Sequence, residues 1–176
     1  MKIAITGTTS GIGKGISDLY TEHNHTVLGF NRSNGYDITT DQTKIIDAIA
    51  DCDIFVNNAF SNTDILAQTN LFKQVFDTWQ YESKTIVNIN SRTHYGNAAK
   101  PYAKGKKMLH REAFIAINHL ERHCKIINIS PGYVDTPRVD NVSGYKMLTV
   151  SEIAEYVKWA IDQPIEIGEL SLWRDA

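Results

Sequence analysis

The sequence predicts an α/β protein built on a doubly wound parallel sheet, with helices on both faces in three layers. Three observations predict it. Short apolar runs of strand length alternate with longer segments of helical period along the chain. The first run, KIAIT, reads as a buried strand and is stopped by a glycine that opens a Gly-rich turn into a helix. The polar and glycine residues that break the later apolar runs gather at strand ends, where open α/β sheets bind their ligands.

In order, residues 2–6 form the first strand, and residues 11–23 a helix with Ile12, Ile16, Leu19 and Tyr20 on one face. Residues 26–30 (TVLGF) are a strand and 41–50 a helix with Ile45, Ile46 and Ile49 inward. Strand 53–57 (DIFVN) precedes a helix over 63–80 carrying Leu66, Leu71, Val75, Phe76 and Trp79. Strand 84–90 (KTIVNIN) precedes the longest helix, 101–122, in which Met108, Leu109, Ala113, Phe114, Ile117 and Leu120 recur at helical spacing and Pro101 suits the first turn. Strand 125–129 (KIINI) ends at Pro131-Gly132, a helix over 151–162 opens on a capping signal from Ser151 and Glu152, and 165–172 is the last strand. The alternation implies right-handed crossovers and a parallel sheet covered on both faces. Function is then expected at Thr6-Gly7, Asn31-Arg32, Asn57-Asn58-Ala59, Asn90-Ser91 and Ser130-Pro131-Gly132.

The length, 176 residues, suits a single domain over 1–176. A net charge of -2 with scattered lysines gives no broad attraction to nucleic acid. The apolar run in MKIAITG is too short for a signal peptide or a membrane span, and no other run approaches spanning length, so a cytoplasmic location without a membrane partner is expected. Cys52 and Cys124 are too few for a disulfide framework or a zinc site and read as small buried hydrophobes. The six histidines lack metal-ligand spacing, so no metal is expected.

The first strand runs into Thr6-Gly7-Thr8-Thr9-Ser10-Gly11-Ile12-Gly13, and a helix follows at once. Glycines let the chain turn tightly and let a pyrophosphate approach with no Cβ in the way. The helix start offers free N–H groups and the positive dipole end to that anion. The spacing is Gly-x-x-x-Gly-x-Gly rather than G-x-G-x-x-G, but its place between the first strand and first helix points to a dinucleotide.

Four further motifs follow in order: Asn57-Asn58-Ala59 after DIFV, Ser91 after IVNIN, Tyr102-Ala-Lys-Gly-Lys106, and Pro131-Gly132-Tyr-Val134-Asp-Thr136. With the T-G-x-x-x-G-I-G loop they make the chain resemble the short-chain dehydrogenase/reductase family over nearly its whole length. The fold this implies is Rossmann-like. Tyr102 and Lys106, four apart, share a helix face. A tyrosine titrating near pH 10 is a poor acid at neutral pH, and a nearby ammonium favours its phenolate. The resemblance makes Tyr102 the proton donor, Ser91 the hydroxyl that holds the substrate oxygen, and Lys106 a ligand of the nicotinamide ribose as well. Asn70, in AQTNLF, is the best match to an asparagine that supports a relay water in many members. No G-x-S-x-G elbow surrounds Ser91, which argues against a hydrolase.

The cofactor contacts implied are Gly7, Thr9, Ser10, Gly11, Ile12 and Gly13 in the loop, Asn58 and Ala59, Tyr102 and Lys106, and Pro131, Gly132, Val134 and Thr136. The second strand ends Phe30-Asn31-Arg32-Ser33, with no acid for the ribose hydroxyls and an arginine suited to a 2′-phosphate. Asn31, Arg32 and Ser33 therefore favour NADP(H) over NAD(H), with NAD(H) left open. Asp37 of YDIT resembles the family's adenine-contacting aspartate, and Ile38 beside it completes the adenine contacts.

The chain also departs from the family. It is short, and only about four residues separate Arg32 from Asp37, which leaves no room for the helix between strands two and three. Strand three is at most a stub. Residues 137–149 must serve as the substrate flap, so an open, shallow substrate site is expected. Phe60 replaces the glycine that follows Asn-Asn-Ala and should narrow the cofactor cleft or wall the substrate side. His94 and Tyr95 are expected to line the site. Family members often pair their long central helices, which makes Phe72, Phe76, Phe114 and Ile117 candidates for the face of a homodimer or homotetramer.

The first reading is an NADP(H)-dependent oxidoreductase acting on a small-molecule carbonyl or alcohol. A second is a catalytically weak or inactive NAD(P)-binding sensor on the same scaffold, which the intact Ser91, Tyr102 and Lys106 set argues against. A third is epimerase or dehydratase chemistry, for which the short C-terminal part leaves little room for a nucleotide-sugar lobe.

Overall fold

A computed structural model describes residues 1–96, 100–139 and 146–174. Its elements are β1 (Lys2–Thr6), α1 (Gly11–Glu22), β2 (Thr26–Phe30), α2 (Gln42–Ala48), β3 (Ile54–Asn57), α3 (Ala67–Trp79), β4 (Thr85–Ile89), α4 (Pro101–Ile117), β5 (Lys125–Pro131), α5 (Val150–Asp162) and β6 (Glu169–Leu172), with short 3₁₀ turns at Arg32–Asn34 and Arg92–Tyr95. All six strands pair in parallel in one sheet of order β2-β1-β3-β4-β5-β6. The fold is the expected Rossmann-like three-layer α/β/α arrangement. The chain leaves β1 toward β2 on one side and returns to β3 on the other, so a crevice opens beyond the carboxyl ends of β1 and β3.

Period-two alternation along the strands divides the core. Ala4, Phe55, Ile86 and Ile126 face one layer, where Leu71, Phe72, Val75 and Trp79 of α3 and Leu109 and Ala113 of α4 cover them. Ile3, Ile5, Val56, Val87, Ile127 and Ile129 face the other, under Ile16 and Tyr20 of α1 and Ile153, Ala154 and Val157 of α5. Ile45 and Ile49 bring α2 into the first cluster. Cys52 and Cys124 are buried and unbonded to each other, as expected. No described helix is long and apolar enough to cross a membrane.

As the spacing requires, no helix separates Arg32 from Asp37, and no strand forms there: β1 pairs directly with β3. Several boundaries differ from the sequence expectation for local reasons. Helix α3 begins at Ala67 because Ser61 Oγ and Asp64 Oδ1 accept the backbone N–H groups of Thr63, Asp64 and Leu66 in a preceding turn. Helix α4 stops at Ile117, whose carbonyl accepts from the Arg122 guanidinium, and Leu120 is 99% exposed. Helix α5 is capped by Thr149, which accepts from Glu152 N while Glu152 Oε2 accepts from Thr149 N, so the capping box is Thr149–Glu152 rather than one centred on Ser151. Phe72 is 1% exposed inside the core and offers nothing to a partner subunit, whereas Phe114 is 61% exposed.

Candidate active site

The carboxyl ends of β1 to β5 surround a cleft of about 950 Å³, within the size range of ligand sites. At its floor Gly7 and Gly11 adopt positive φ (76° and 58°), backbone that a side chain would strain. A Cβ on Gly13 would lie 2.2 Å from Gly7 O and 2.4 Å from Asn58 Nδ2. Gly13 therefore lies behind the cleft surface and lets α1 seat against the loop, instead of touching a ligand as expected. Asn58 Nδ2 donates to Thr6 O and Gly7 O, and Thr6 Oγ1 accepts from Asn58 N and Ala59 N, which locks the loop to the end of β3. Opposite, Asn31 Oδ1 accepts from Thr8 N at 2.7 Å and ties the end of β2 to the same loop.

The predicted residues Gly7, Thr9, Ser10, Gly11, Ile12, Asn31, Arg32, Ser33, Asp37, Ile38, Asn58, Ala59, Ser91, Tyr102, Lys106, Pro131, Gly132, Val134 and Thr136 all line this cleft. Arg32 and Ser33 are exposed on its rim. Asp37 accepts from Thr39 N and Thr39 Oγ1, which with Arg32 nearby hold its carboxyl below the usual range. Tyr36, packed edge-on to Phe30, also lines this end and had not been singled out.

At the other end α4 presents Tyr102 and Lys106. Lys106 is 2% exposed, and its Nζ donates to Gln68 Oε1 at 2.9 Å and to Ile89 O at 2.7 Å. Burial, helped by the charge of Arg138, pushes its pKa down to about 7. Burial likewise raises the Tyr102 phenol, opposed by the Ser91 side chain and by Arg138. The expected depression of Tyr102 by a lysine ammonium is thus not what the geometry gives: Lys106 Nζ sits 5.5 Å from the tyrosine ring centroid, and burial dominates both groups.

Asn70 is exposed on α3 and away from the cleft. The side chain that α3 sends inward is Gln68, whose Nε2 donates to Asn57 O and Ile89 O while its Oε1 holds Lys106. A periodic signal marked it, since residue 68 shares the apolar face of residues 71, 72, 75 and 79. Asn90, one of the strand-end positions where function is expected, lines the cleft beside Ser91, and its buried Nδ2 has no partner among the described residues. Phe60 walls the end of the cleft that holds Tyr102 and Lys106. Its ring meets Tyr102 edge-on at 4.9 Å and fits because a Cβ on Gly105 would fall 2.9 Å from it.

His94 and Tyr95 do not line the cleft. Ser91 caps the 3₁₀ turn Arg92–Tyr95, which folds them back toward β6. There His94 Nδ1 meets Ser91 O at 2.6 Å, and burial lowers the His94 pKa, so the neutral ring donates to that carbonyl and fixes the serine backbone. Although sequence spacing showed no metal pattern, His94, His110 and Glu169 come together with potential ligand atoms within 4.8 Å of one another. The two rings stack at 3.9 Å and 15°, so one ion cannot lie in both ring planes, and the arrangement is a packed imidazole pair beside a carboxylate. The expected flap is described only at 137–139 and 146–149; residues 140–145 lie outside the described residues.

The site fits a dinucleotide: a glycine floor that a Cβ would fill, an arginine–serine rim, and an orphaned amide beside the Ser91 and Tyr102 hydroxyls. No family model and no curated protein matches the sequence. Solved structures do. A serine dehydrogenase complexed with NADP+ superposes with a TM-score of 0.78 at 18% identity, over 99% of this chain and 95% of that one. A short chain dehydrogenase from Burkholderia cenocepacia in complex with NADP gives 0.79 at 18%, over 98% and 88%. A 3-ketoacyl-(acyl-carrier-protein) reductase from Brucella melitensis complexed with NADH gives 0.76 at 17%, over 97% and 96%. The chain has the short-chain dehydrogenase/reductase fold.

Proposed function

We propose that this protein is an NADP(H)-dependent oxidoreductase of the short-chain dehydrogenase/reductase type that interconverts a small-molecule carbonyl and its alcohol. One observation carries the reading: Ser91 from the end of β4, and Tyr102 and Lys106 from α4, line the same cleft as the glycine loop. A reduced nicotinamide held in that cleft would supply the hydride that reaches the carbonyl carbon. The Tyr102 hydroxyl gives its proton to the carbonyl oxygen, and Ser91 Oγ donates a hydrogen bond that steadies the charge developing there. Lys106, anchored by Gln68 Oε1 and Ile89 O, holds the ribose side. The loop N–H groups and the α1 start take the pyrophosphate. Arg32 and Ser33 take the 2′-phosphate, and no acid at the end of β2 competes for it. The serine dehydrogenase and Burkholderia cenocepacia structures, both with NADP, support this choice, and the NADH-bound reductase keeps NAD(H) in the comparison.

The test is NADPH oxidation against a panel of ketones and aldehydes, with Tyr102→Phe as control. Turnover lost in Tyr102→Phe with NADPH binding retained supports the reading. Tight NADPH binding with no turnover by the wild type on any substrate would favour the sensor. KM values for NADPH and NADH, in wild type and Arg32→Ala, test the cofactor preference.

A further inference from the structure

Proton transfer from Tyr102 does not require a second cation, yet one lies over it. Arg138, in the turn after β5, places its Cζ 4.9 Å from the ring centroids of both Tyr102 and Phe60. Its Nη2 donates to Asn62 Oδ1 at 3.0 Å, so the guanidinium is held from the opposite wall of the cleft. Among the described residues Arg138 makes no other hydrogen bond and no ion pair. A guanidinium carries five donors in a fixed fork, so most of its capacity to bind an anion bidentately is unused. Around Tyr102 the charged lining residues described are Lys106 and Arg138, both basic, while the acid of the cleft, Asp37, lies beside Arg32 at the far end. Lys106 is committed to Gln68 and Ile89, whereas an arginine stays charged at every working pH.

We propose that Arg138 forms an anion subsite beside Tyr102 that selects substrates whose carbonyl lies one or two carbons from a carboxylate, that is, short 2- and 3-oxo acids and the hydroxy acids they give. The proposal rests on the oxidoreductase reading above. The reach follows from geometry. A charge-assisted pair sets nitrogen and oxygen about 2.8 Å apart, and the Tyr102 hydrogen bond to the carbonyl oxygen spans about 2.7 Å. With the guanidinium carbon 4.9 Å from the centroid of the ring that bears the donating hydroxyl, one or two carbon–carbon bonds between carbonyl and carboxylate suit the two anchors. In the reduction the carbonyl carbon gains a hydride, its oxygen gains the Tyr102 proton, the reduced nicotinamide is oxidised, and the carboxylate is unchanged. Arg138 therefore acts on binding and orientation, as a specificity-determining residue.

Both the substrate carboxylate and a cofactor phosphate are anions, so the experiment separates them. Initial rates are measured with NADPH for 2-oxobutanoate and 3-oxobutanoate and for their methyl esters, in wild type, Arg138→Met and Arg138→Lys. NADPH Kd is measured by fluorescence, and each acid is titrated calorimetrically into protein saturated with NADP+. The expected result is an acid-over-ester preference in kcat/KM of about tenfold or more. In Arg138→Met it collapses toward one through the KM of the acid, Arg138→Lys restores part of it, and NADPH Kd moves less than about twofold. A wild-type ratio near one, or an unchanged ratio in Arg138→Met, overturns the subsite. So does a weakened NADPH Kd with the ratio intact, which would assign Arg138 to the cofactor. Reduction of esters but not acids leaves the oxidoreductase reading standing and removes the subsite. If nothing is turned over, Arg138-dependent acid binding by calorimetry supports the subsite while the oxidoreductase reading fails, and absent binding overturns it.

Discussion

Lys106 offers a test that needs no substrate. In the unfolded chain its ammonium titrates near the ordinary lysine value of 10.5, whereas in the folded protein burial brings it to about 7. Between those two values the unfolded state binds more protons than the native state, so unfolding free energy must rise with pH through that window. Below about pH 7 both states are protonated and the native protein carries the whole cost of a buried charge. The gap of about 3.5 pH units, at about 1.4 kcal/mol per unit, amounts to about 5 kcal/mol in all. Across pH 7.5 to 9.5 the gain is about 2–3 kcal/mol. The assay is urea unfolding of the cofactor-free protein at several pH values, with Lys106→Met as reference. The absolute stability of that variant is not informative, because it leaves Gln68 Oε1 without its donor and takes one of two from Ile89 O. The difference in slope is informative, since Cys52, Cys124 and the tyrosines titrate in both proteins and cancel. If the wild-type-minus-variant difference stays flat within about 0.5 kcal/mol from pH 7.5 to 9.5, Lys106 is not a neutral-poised lysine and the account of its burial is wrong.

Other perturbations read other parts of the site. Gly13→Ala drives a methyl group to within 2.2 Å of Gly7 O and should cost about 1–3 kcal/mol of stability together with a weaker NADPH Kd; a variant that binds NADPH as the wild type does would contradict the close seating of α1. Gln68→Leu removes the Lys106 acceptor from the core and should lower kcat far more than it raises the KM for NADPH, whereas Asn70→Ala on the exposed face should leave both unchanged; equal effects of the two in steady-state kinetics would reverse the assignment. His94→Phe keeps the ring stack but deletes the bond to Ser91 O, so kcat should fall with NADPH Kd preserved, as measured by rapid kinetics and fluorescence.

The residues legible in the sequence were those whose role is written in local spacing. The glycine loop, Tyr102 with Lys106, and the strand-end Ser91 and Pro131-Gly132 each stand in a short motif, and strands buried on both faces announced themselves as apolar runs. What spacing does not encode is which polar group a helix turns inward when two lie close together. Asn70 matched a pattern, but Gln68 lies on the apolar stripe of α3, and burial against Asn57 and Ile89 selects it. Arg138 carries no sequence signal at all, because its neighbours Tyr102, Phe60 and Asn62 come from distant segments. The same holds for His94, which meets His110 and Glu169 only through the packing of α4 and β6 against the turn after β4.

The strand and helix missing between β2 and β3 bear on one end of the cleft only. In a doubly wound sheet whose order begins 3-2-1-4, the third strand is the outermost, and the ligand crevice lies between the first and fourth. Removing the outer strand and its helix leaves the order β2-β1-β3-β4-β5-β6 and leaves that crevice whole. The cost falls on β2, now an edge strand with one buried residue in five, against four in β1. Its end is steadied by side chains instead of a neighbouring strand: Asn31 binds Thr8, Asn34 Nδ2 donates to Gly29 O, and Asn34 Oδ1 accepts from Asn31 N. Arg32 and Ser33 sit in that side-chain-held turn, while Lys106, Ser91 and Tyr102 stand on the packed side. Substitutions that change the choice between NADPH and NADH should therefore be tolerated without loss of fold, whereas substitutions at Gln68 or Lys106 change chemistry and stability together.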